Sequence, residues 1–185
     1  MISKIIKNRR SVFPVQYTSE VITKAELQQL LEAANWAPTH RRTEPWRFKV
    51  FSSEGSRKAL SQFLVATYQR TTAKPSEVKG RKIAEKPMLS ACVIAVCMQR
   101  DPKASVPEWE EVAATAMAVQ NIWLVAHELG IGMYWSSPGL KDHLGEHITL
   151  AEGEQCLGFL YMGKFEGALP EGLRNSSIDE KAVWF

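Results

Sequence analysis

Arg9, Arg10 and Ser11 stand in a row near the N-terminus, just ahead of Phe13-Pro14. Arginine stays charged at any working pH and offers a planar fork of donors, so two of them beside a serine hydroxyl suit a phosphate group. The same pair at a helix end also complements the helix dipole, and the row therefore acquires a functional meaning only from partners elsewhere. A polar loop bounded by prolines supplies the first: Ala37-Pro38-Thr39-His40-Arg41-Arg42-Thr43-Glu44-Pro45 follows Trp36 and leads into Trp46-Arg47-Phe48. Other constellations are weaker. His143-Leu144-Gly145-Glu146-His147 has the spacing of a zinc helix, but Gly145 inside it reads as a helix stop, so no metal site is expected. His127 closes an apolar run and reads first as a core or helix-end histidine. Gly130-Ile131-Gly132 follows a helix where a dinucleotide fingerprint would open one.

These residues need a scaffold, and 185 residues at 45% hydrophobic content suffice for one domain spanning 1–185 with a substantial core. The formal charge of +3, from 23 basic and 20 acidic residues, favours anionic ligands slightly and falls short of a nucleic-acid signature. Lys79-Gly80-Arg81-Lys82 reads as a solvated helix face. Cys92, Cys97 and Cys156 lie in apolar runs without metal or redox spacing, which predicts buried reduced thiols and fits a cytoplasmic protein. The first residues lack the apolar core of a signal peptide, and no run is long and apolar enough to cross a bilayer.

Periodicity then places the elements. Ile2, Ile5 and Ile6 predict a short helix docked by an apolar stripe and ending at Arg9-Arg10-Ser11. Thr23 and Glu26 form a capping box for a helix with Leu27, Leu30, Leu31 and Ala34 inward, closed by Pro38. Trp46 to Phe51 alternates as a strand, and a helix from about Glu54 carries Leu60, Phe63, Leu64 and Tyr68. Thr71 to Ser76 reads as a mobile connection. Met88 to Met98 is apolar enough for a buried central strand. After a turn at 101–107, Glu108, Glu110 and Glu111 open a core helix that runs to Leu129 and stops at Gly130. Ile131 to Trp135 is a short strand, Leu140 to Leu144 a brief helix, and Gln155 to Met162 the last strand. The tail ends in Trp184-Phe185, which predicts packing on the core or on a partner subunit.

Taken together, Arg-Arg-Ser, the Ala-Pro loop ending in Pro-Trp-Arg-Phe, His127-Glu128-Leu129-Gly130 followed by Ile131 to Ser137, and Leu157-Gly158-Phe159-Leu160-Tyr161-Met162-Gly163 resemble the FMN-dependent nitroreductase family, in its small single-domain members. The resemblance implies an α+β fold with a mostly antiparallel central sheet surrounded by helices, in an intertwined homodimer whose C-terminal extension embraces the other chain. It implies an oxidoreductase that takes electrons from NADH or NADPH and passes them, by ping-pong exchange, to nitroaromatics, quinones or similar flat small-molecule acceptors. FMN carries that chemistry, so no catalytic side chain is expected. The cofactor-binding residues implied are Arg9, Arg10 and Ser11, Trp36 and His40 from the opposite subunit, and Trp135, Ser136 and Ser137. Lys164 or Arg174 would help with the phosphate, and Arg41-Arg42 could meet the phosphate of NADPH or an acidic substrate. Dehalogenating and flavin-cleaving branches share the cofactor grip. A non-catalytic basic module built on Arg41-Arg42 and Lys79 to Lys82 is the reading from another class, and it predicts a colourless protein with salt-dependent affinity for nucleic acid.

Overall fold

A computed structural model describes residues 2–185. Its centre is a four-stranded sheet in the order β1-β2-β4-β3, with every neighbouring pair antiparallel: β1 (Trp46–Phe51), β2 (Cys92–Gln99), β3 (Ile131–Ser136) and β4 (Glu154–Lys164). β2 is apolar along its length because both of its faces are covered. Cys92, Ile94 and Val96 pack beneath α2 (Lys24–Asn35) and α5 (Glu108–Glu128), together with Leu30, Ala118 and Ile122. Val93, Ala95 and Cys97 point the other way, toward Leu60 and Leu64 of α3 (Glu54–Thr71) and Leu144 of a 3-10 segment (Gly139–Glu146). α4 (Glu77–Leu89) lies against α3.

Local signals account for the element ends. The Glu26 backbone N–H donates to Thr23 Oγ1 at 3.2 Å and the Thr23 N–H donates to the Glu26 carboxylate at 2.8 Å, which completes the capping box of α2. Gly130 takes φ +66° just past α5, the left-handed stop its position predicts. Two features differ from expectation. Met88 and Leu89 belong to the last turn of α4 and are exposed, so β2 begins only at Cys92; the Ser90 hydroxyl donates to the Lys86 carbonyl at 2.8 Å and closes the helix there. α1 (Ile2–Asn8) buries none of its residues fully: Ile2 and Ile6 are exposed and Ile5 is only partly covered, so its stripe rests only loosely against α5. The connection after α3 is tied back by the Ser76 N–H, which donates to the Tyr68 hydroxyl at 2.9 Å. The tail beyond Phe165 does not pack on the core either: Leu173, Val183 and Trp184 are exposed, Trp184 at 90%.

The segment from Arg9 to Thr18 is fixed to the sheet by shape. Gly132 of β3 and Gly163 of β4 are cross-strand partners, and the missing side chains leave a groove that Val12 and Tyr17 fill. A Cβ on Gly163 would lie 2.4 Å from Tyr17 Cγ, and one on Gly132 would lie 2.8 Å from Val12 Cβ. The Val12 N–H donates to the Met133 carbonyl at 3.1 Å, and the Thr18 N–H donates to the Lys164 carbonyl at 2.8 Å. Between them the Tyr17 hydroxyl sits 2.7 Å from the carbonyls of both Val12 and Tyr161. Burial pushes the Tyr17 phenol well above its ordinary pKa, which keeps it a donor. Gly163→Ala should therefore displace Tyr17 and cost about 1–3 kcal/mol, the usual penalty for overpacking a filled site; a urea melt in which Gly163→Ala matches the unmutated chain would contradict this account.

Candidate functional site

Residues along an antiparallel strand present their backbone groups alternately to the two sides. Since the Met133 carbonyl faces away from β4 to meet Val12, the backbone groups of Trp135 face the same outward edge. Among the described residues that edge receives no backbone partner beyond Met133. The strap residues Arg9 to Phe13 border this free edge of β3, and the side chains of β3 divide around it.

On the α5 side, Trp135 and Ser137 share a cavity of about 510 Å³ with Trp123, Val112 and Leu157. The Arg9 guanidinium lies 4.4 Å from the centre of the Trp123 ring, a cation–π stack. Burial is the main cause lowering the Arg9 pKa, and the neighbouring charges of Arg10 and Arg174 lower it further. Among the described residues Arg9 and Arg174 have no carboxylate within ion-pair distance. The indole N–H groups of Trp123 and Trp135 are buried without a hydrogen-bond partner. Trp135 packs closely against Gly158, where a Cβ would come within 2.6 Å of its indole nitrogen. Cations with no counter-charge beside unpartnered buried donors make a site shaped for an anion rich in acceptor atoms.

The other face of the edge is aromatic. Phe13 packs on Tyr134 with ring centres 4.7 Å apart, and Lys86 Nζ lies 5.4 Å from the Tyr134 ring. Ser136, Pro138 and Gly139 open there onto a second cavity, bounded by α3 and α4.

The arginine pair divides its work. Arg10 turns toward the tail: its Nε donates to the Pro170 carbonyl at 2.9 Å and Nη1 to the carbonyls of Lys7 and Arg9 at 2.8 Å. Gly172 leaves room for that guanidinium. His127 lines the same recess, and burial first, then Arg9 and Arg10, hold its pKa below the ordinary value. Ser11 is exposed, and its hydroxyl makes no hydrogen bond with the described residues. Lys164 is committed elsewhere: its ammonium pairs with Glu26 and donates to the Leu129 carbonyl at 3.1 Å, joining the start of α2 to the end of α5.

Trp36 and His40 do not meet this site within one chain. His40 Nδ1 lies 2.6 Å from Glu110 in the first turn of α5, in a recess with Trp109 and Met117. Glu110 and Trp123 are separated by roughly 20 Å along α5 and point some 140° apart around it. Trp36 is 78% exposed, with its indole N–H donating to Glu32 at 3.0 Å. The loop that follows His40 is strained, with Arg41, Arg42 and Glu44 all at positive φ without being glycine. The His143–His147 segment is a 3-10 turn in place of an α-helix; His143 contacts Glu146 at 2.8 Å, and His147 stacks on Phe63 with ring centres 4.8 Å apart.

Sequence reasoning missed Trp123. It stands eleven residues after Val112, three helical turns along the same face of α5, and that spacing was the available signal.

Residues 6–164 match the model of the nitroreductase family. The chain belongs to that family. Among relatives it is 32% identical over 177 residues to the Bacillus subtilis protein named "Putative NAD(P)H nitroreductase YfhC", covering 96% of this chain and 86% of that one. Its fold superposes on the crystal structure of a nitroreductase-like family protein from Bacillus cereus with a TM-score of 0.87 and 33% identity, covering 100% of this chain and 96% of that chain. A Desulfovibrio desulfuricans nitroreductase solved in complex with FMN shares the fold at a TM-score of 0.73 and 22% identity, covering 100% and 96% of the two chains. As a nitroreductase-family member the chain has the expected antiparallel α+β architecture, and no helix among the described residues is long and apolar enough to cross a membrane.

The Lys164 pair gives the frame of the site a pH signature. The Lys164 hydrogen bond, helped by the Thr23 N–H, holds the Glu26 carboxyl down to about 2 from an ordinary 4.5. A lowered carboxyl pKa contributes stability that is complete above the unfolded value and is lost as pH falls through the folded one. Urea midpoints should thus fall between about pH 4.5 and 2 more steeply for the unmutated chain than for Lys164→Met; equal slopes would rule the pair out as a contributor.

Proposed function

We propose that the chain is an FMN-dependent oxidoreductase that takes electrons from NADH or NADPH, acts on flat electron-poor acceptors such as nitroaromatics and quinones, and works as a homodimer. One observation carries the reading: Arg9, with no carboxylate partner among the described residues and with Arg174 as a like-charged neighbour, stacks on Trp123, whose buried indole N–H, like that of Trp135, has no hydrogen-bond partner at an open sheet edge. The name of the Bacillus subtilis relative and the FMN in the Desulfovibrio structure point the same way. When bound, FMN supplies the redox chemistry, accepting a hydride from the nicotinamide and passing electrons to the acceptor, with the two using one cleft in turn.

The chain's own residues then have separable duties. Arg9 and Arg174 hold the phosphate through charge-assisted hydrogen bonds, and Lys164, spent on Glu26, does not. The Ser11 hydroxyl and the hydroxyls and backbone amides of Ser136 and Ser137 serve the ribityl chain and the polar edge of the ring. Trp135 forms part of the wall, and Arg10 fixes the tail beside the site. Trp36 and His40 reach the flavin from the second protomer, because α5 separates them from the Arg9 end of their own chain. That second protomer also covers Trp109, which is 69% exposed, and receives the exposed tail.

The purified protein should be yellow, release FMN on denaturation, and bleach with anaerobic NADPH. Arg9→Ala should weaken FMN binding by about ten- to a hundredfold, the range for losing a charged hydrogen bond, whereas Lys164→Ala should leave the FMN affinity intact while lowering the melting temperature. A colourless protein that does not quench added FMN would refute the reading.

A further inference from the structure

The cavity on the α4 side of β3 has a volume of about 480 Å³, within the range of small-molecule sites. Its walls are mostly apolar or aromatic: Leu64 and Tyr68 from α3, Ile83 from α4, Leu140, and Tyr161 from β4. The exception is one face of α4. Lys79, Lys82 and Lys86, at i, i+3 and i+7, all line the cavity; Lys86 is half-buried, while Lys79 and Lys82 are also exposed to solvent, as the solvated face read from the sequence implies. Among the described residues none of the three has a carboxylate within ion-pair distance. The acidic residues of the same helix, Glu77 and Glu85, are exposed and do not line the cavity. Lys86 lies 5.4 Å from the Tyr134 ring and 6.0 Å from that of Tyr161, and Lys79 lies 5.4 Å from Tyr68, so both ammonium groups are held against aromatic faces. The cavity opens at Ser136, Pro138 and Gly139, beside the free edge of β3.

A slot with aromatic and aliphatic walls takes a flat ring, and a row of uncompensated lysines along one side takes an anionic substituent on that ring. Resting on the oxidoreductase reading, we infer that the acceptor is an aromatic carboxylate or a similarly anionic flat molecule, with Lys79 and Lys82 as the residues that select it. Lys86, held against Tyr134 and Tyr161, stands nearest the sheet, and the other two stand farther along the helix, where a carboxylate on the ring would point. The reductant also carries oxyanions, including the 2′-phosphate that separates NADPH from NADH, so the test must tell the two apart.

The probes are 4-nitrobenzoate and its neutral counterpart 4-nitrobenzamide, titrated calorimetrically into the oxidised flavin-loaded protein and then compared as acceptors by kcat/KM with NADH and with NADPH. The unmutated protein should bind the benzoate about tenfold or more tightly than the amide, and that ratio should shrink as salt is raised. The double variant Lys79→Met/Lys82→Met should bring the ratio to near one, and Lys79→Arg/Lys82→Arg should restore it, which separates loss of charge from loss of fold. Equal binding of the two probes by the unmutated protein overturns the inference, as does a ratio that survives in the methionine variant. A variant that changes only the NADPH-to-NADH ratio would assign the lysines to the reductant and also overturn it. If the protein takes up no flavin, the oxidoreductase reading fails on its own, and the same calorimetric titration of the flavin-free protein still decides whether the lysine slot selects an aryl carboxylate.

Discussion

Everything at the candidate site depends on Tyr17 lying in the groove left by the Gly132–Gly163 pair. An edge strand offers unpaired backbone groups that a neighbouring segment will cover if it can lie flat enough. Here two glycines facing each other on β3 and β4 let the strap approach, and the Tyr17 hydroxyl ties it down at the carbonyls of Val12 and Tyr161. The strap then covers β3 at Met133 and goes no farther. The same contact that closes the sheet at one point leaves it open at Trp135 and sets Arg9 beside the opening.

That geometry explains why two adjacent arginines end in different surroundings. The backbone turns after α1, so Arg9 is carried toward Trp123 and the sheet edge, and Arg10 toward the tail. Three carbonyls satisfy Arg10, whereas Arg9 is left with an aromatic face and like-charged neighbours. A half-buried cation in that state gains from an anionic ligand, and one already saturated by backbone oxygens gains much less. Glu111 shows the contrasting arrangement. It is 1% exposed, pairs with Arg100 and accepts from the Asp101 N–H at 2.9 Å, so its charge is used up in joining α5 to the end of β2.

Legibility in the sequence follows the range of the interaction responsible. The start of α2, the course of α5 and its stop at Gly130 are set by contacts within a few residues, and their patterns could be read directly. Gln155 to Met162 was recognisable for a related reason, since a strand covered on both faces is apolar throughout. Glu111 does sit in the first turn of α5, as its position implies, but its burial and its pairing with Arg100 could not be read, because that partner lies outside the helix. The pairing of Lys164 was hidden for the same reason: only the fold puts Glu26 beside the lysine, 138 residues away. Met88 and Leu89 extended an apolar run without sharing its structure, since hydrophobicity alone does not separate the last turn of a helix from the first residues of a strand.

The basic residues illustrate how little a net charge says about a site. A surplus of +3 over 185 residues is unremarkable, and Arg41, Arg42 and Arg81 are simply exposed to solvent. What distinguishes Arg9, and separately Lys79 and Lys86 of α4, is an aromatic face beside the cation and, among the described residues, no acidic partner. Water screens an exposed cation, whereas a low-dielectric wall leaves the field of a half-buried one such as Arg9 or Lys86 less screened. β3 lies between the two groups, with Trp135 and Ser137 turned to the arginines and Ser136 turned to the lysines. A ligand spanning that edge would meet positive potential at both ends and aromatic surface between them. This arrangement suits a flat molecule stacked beside a phosphate-bearing cofactor better than it suits the extended, evenly spaced charge of a nucleic acid.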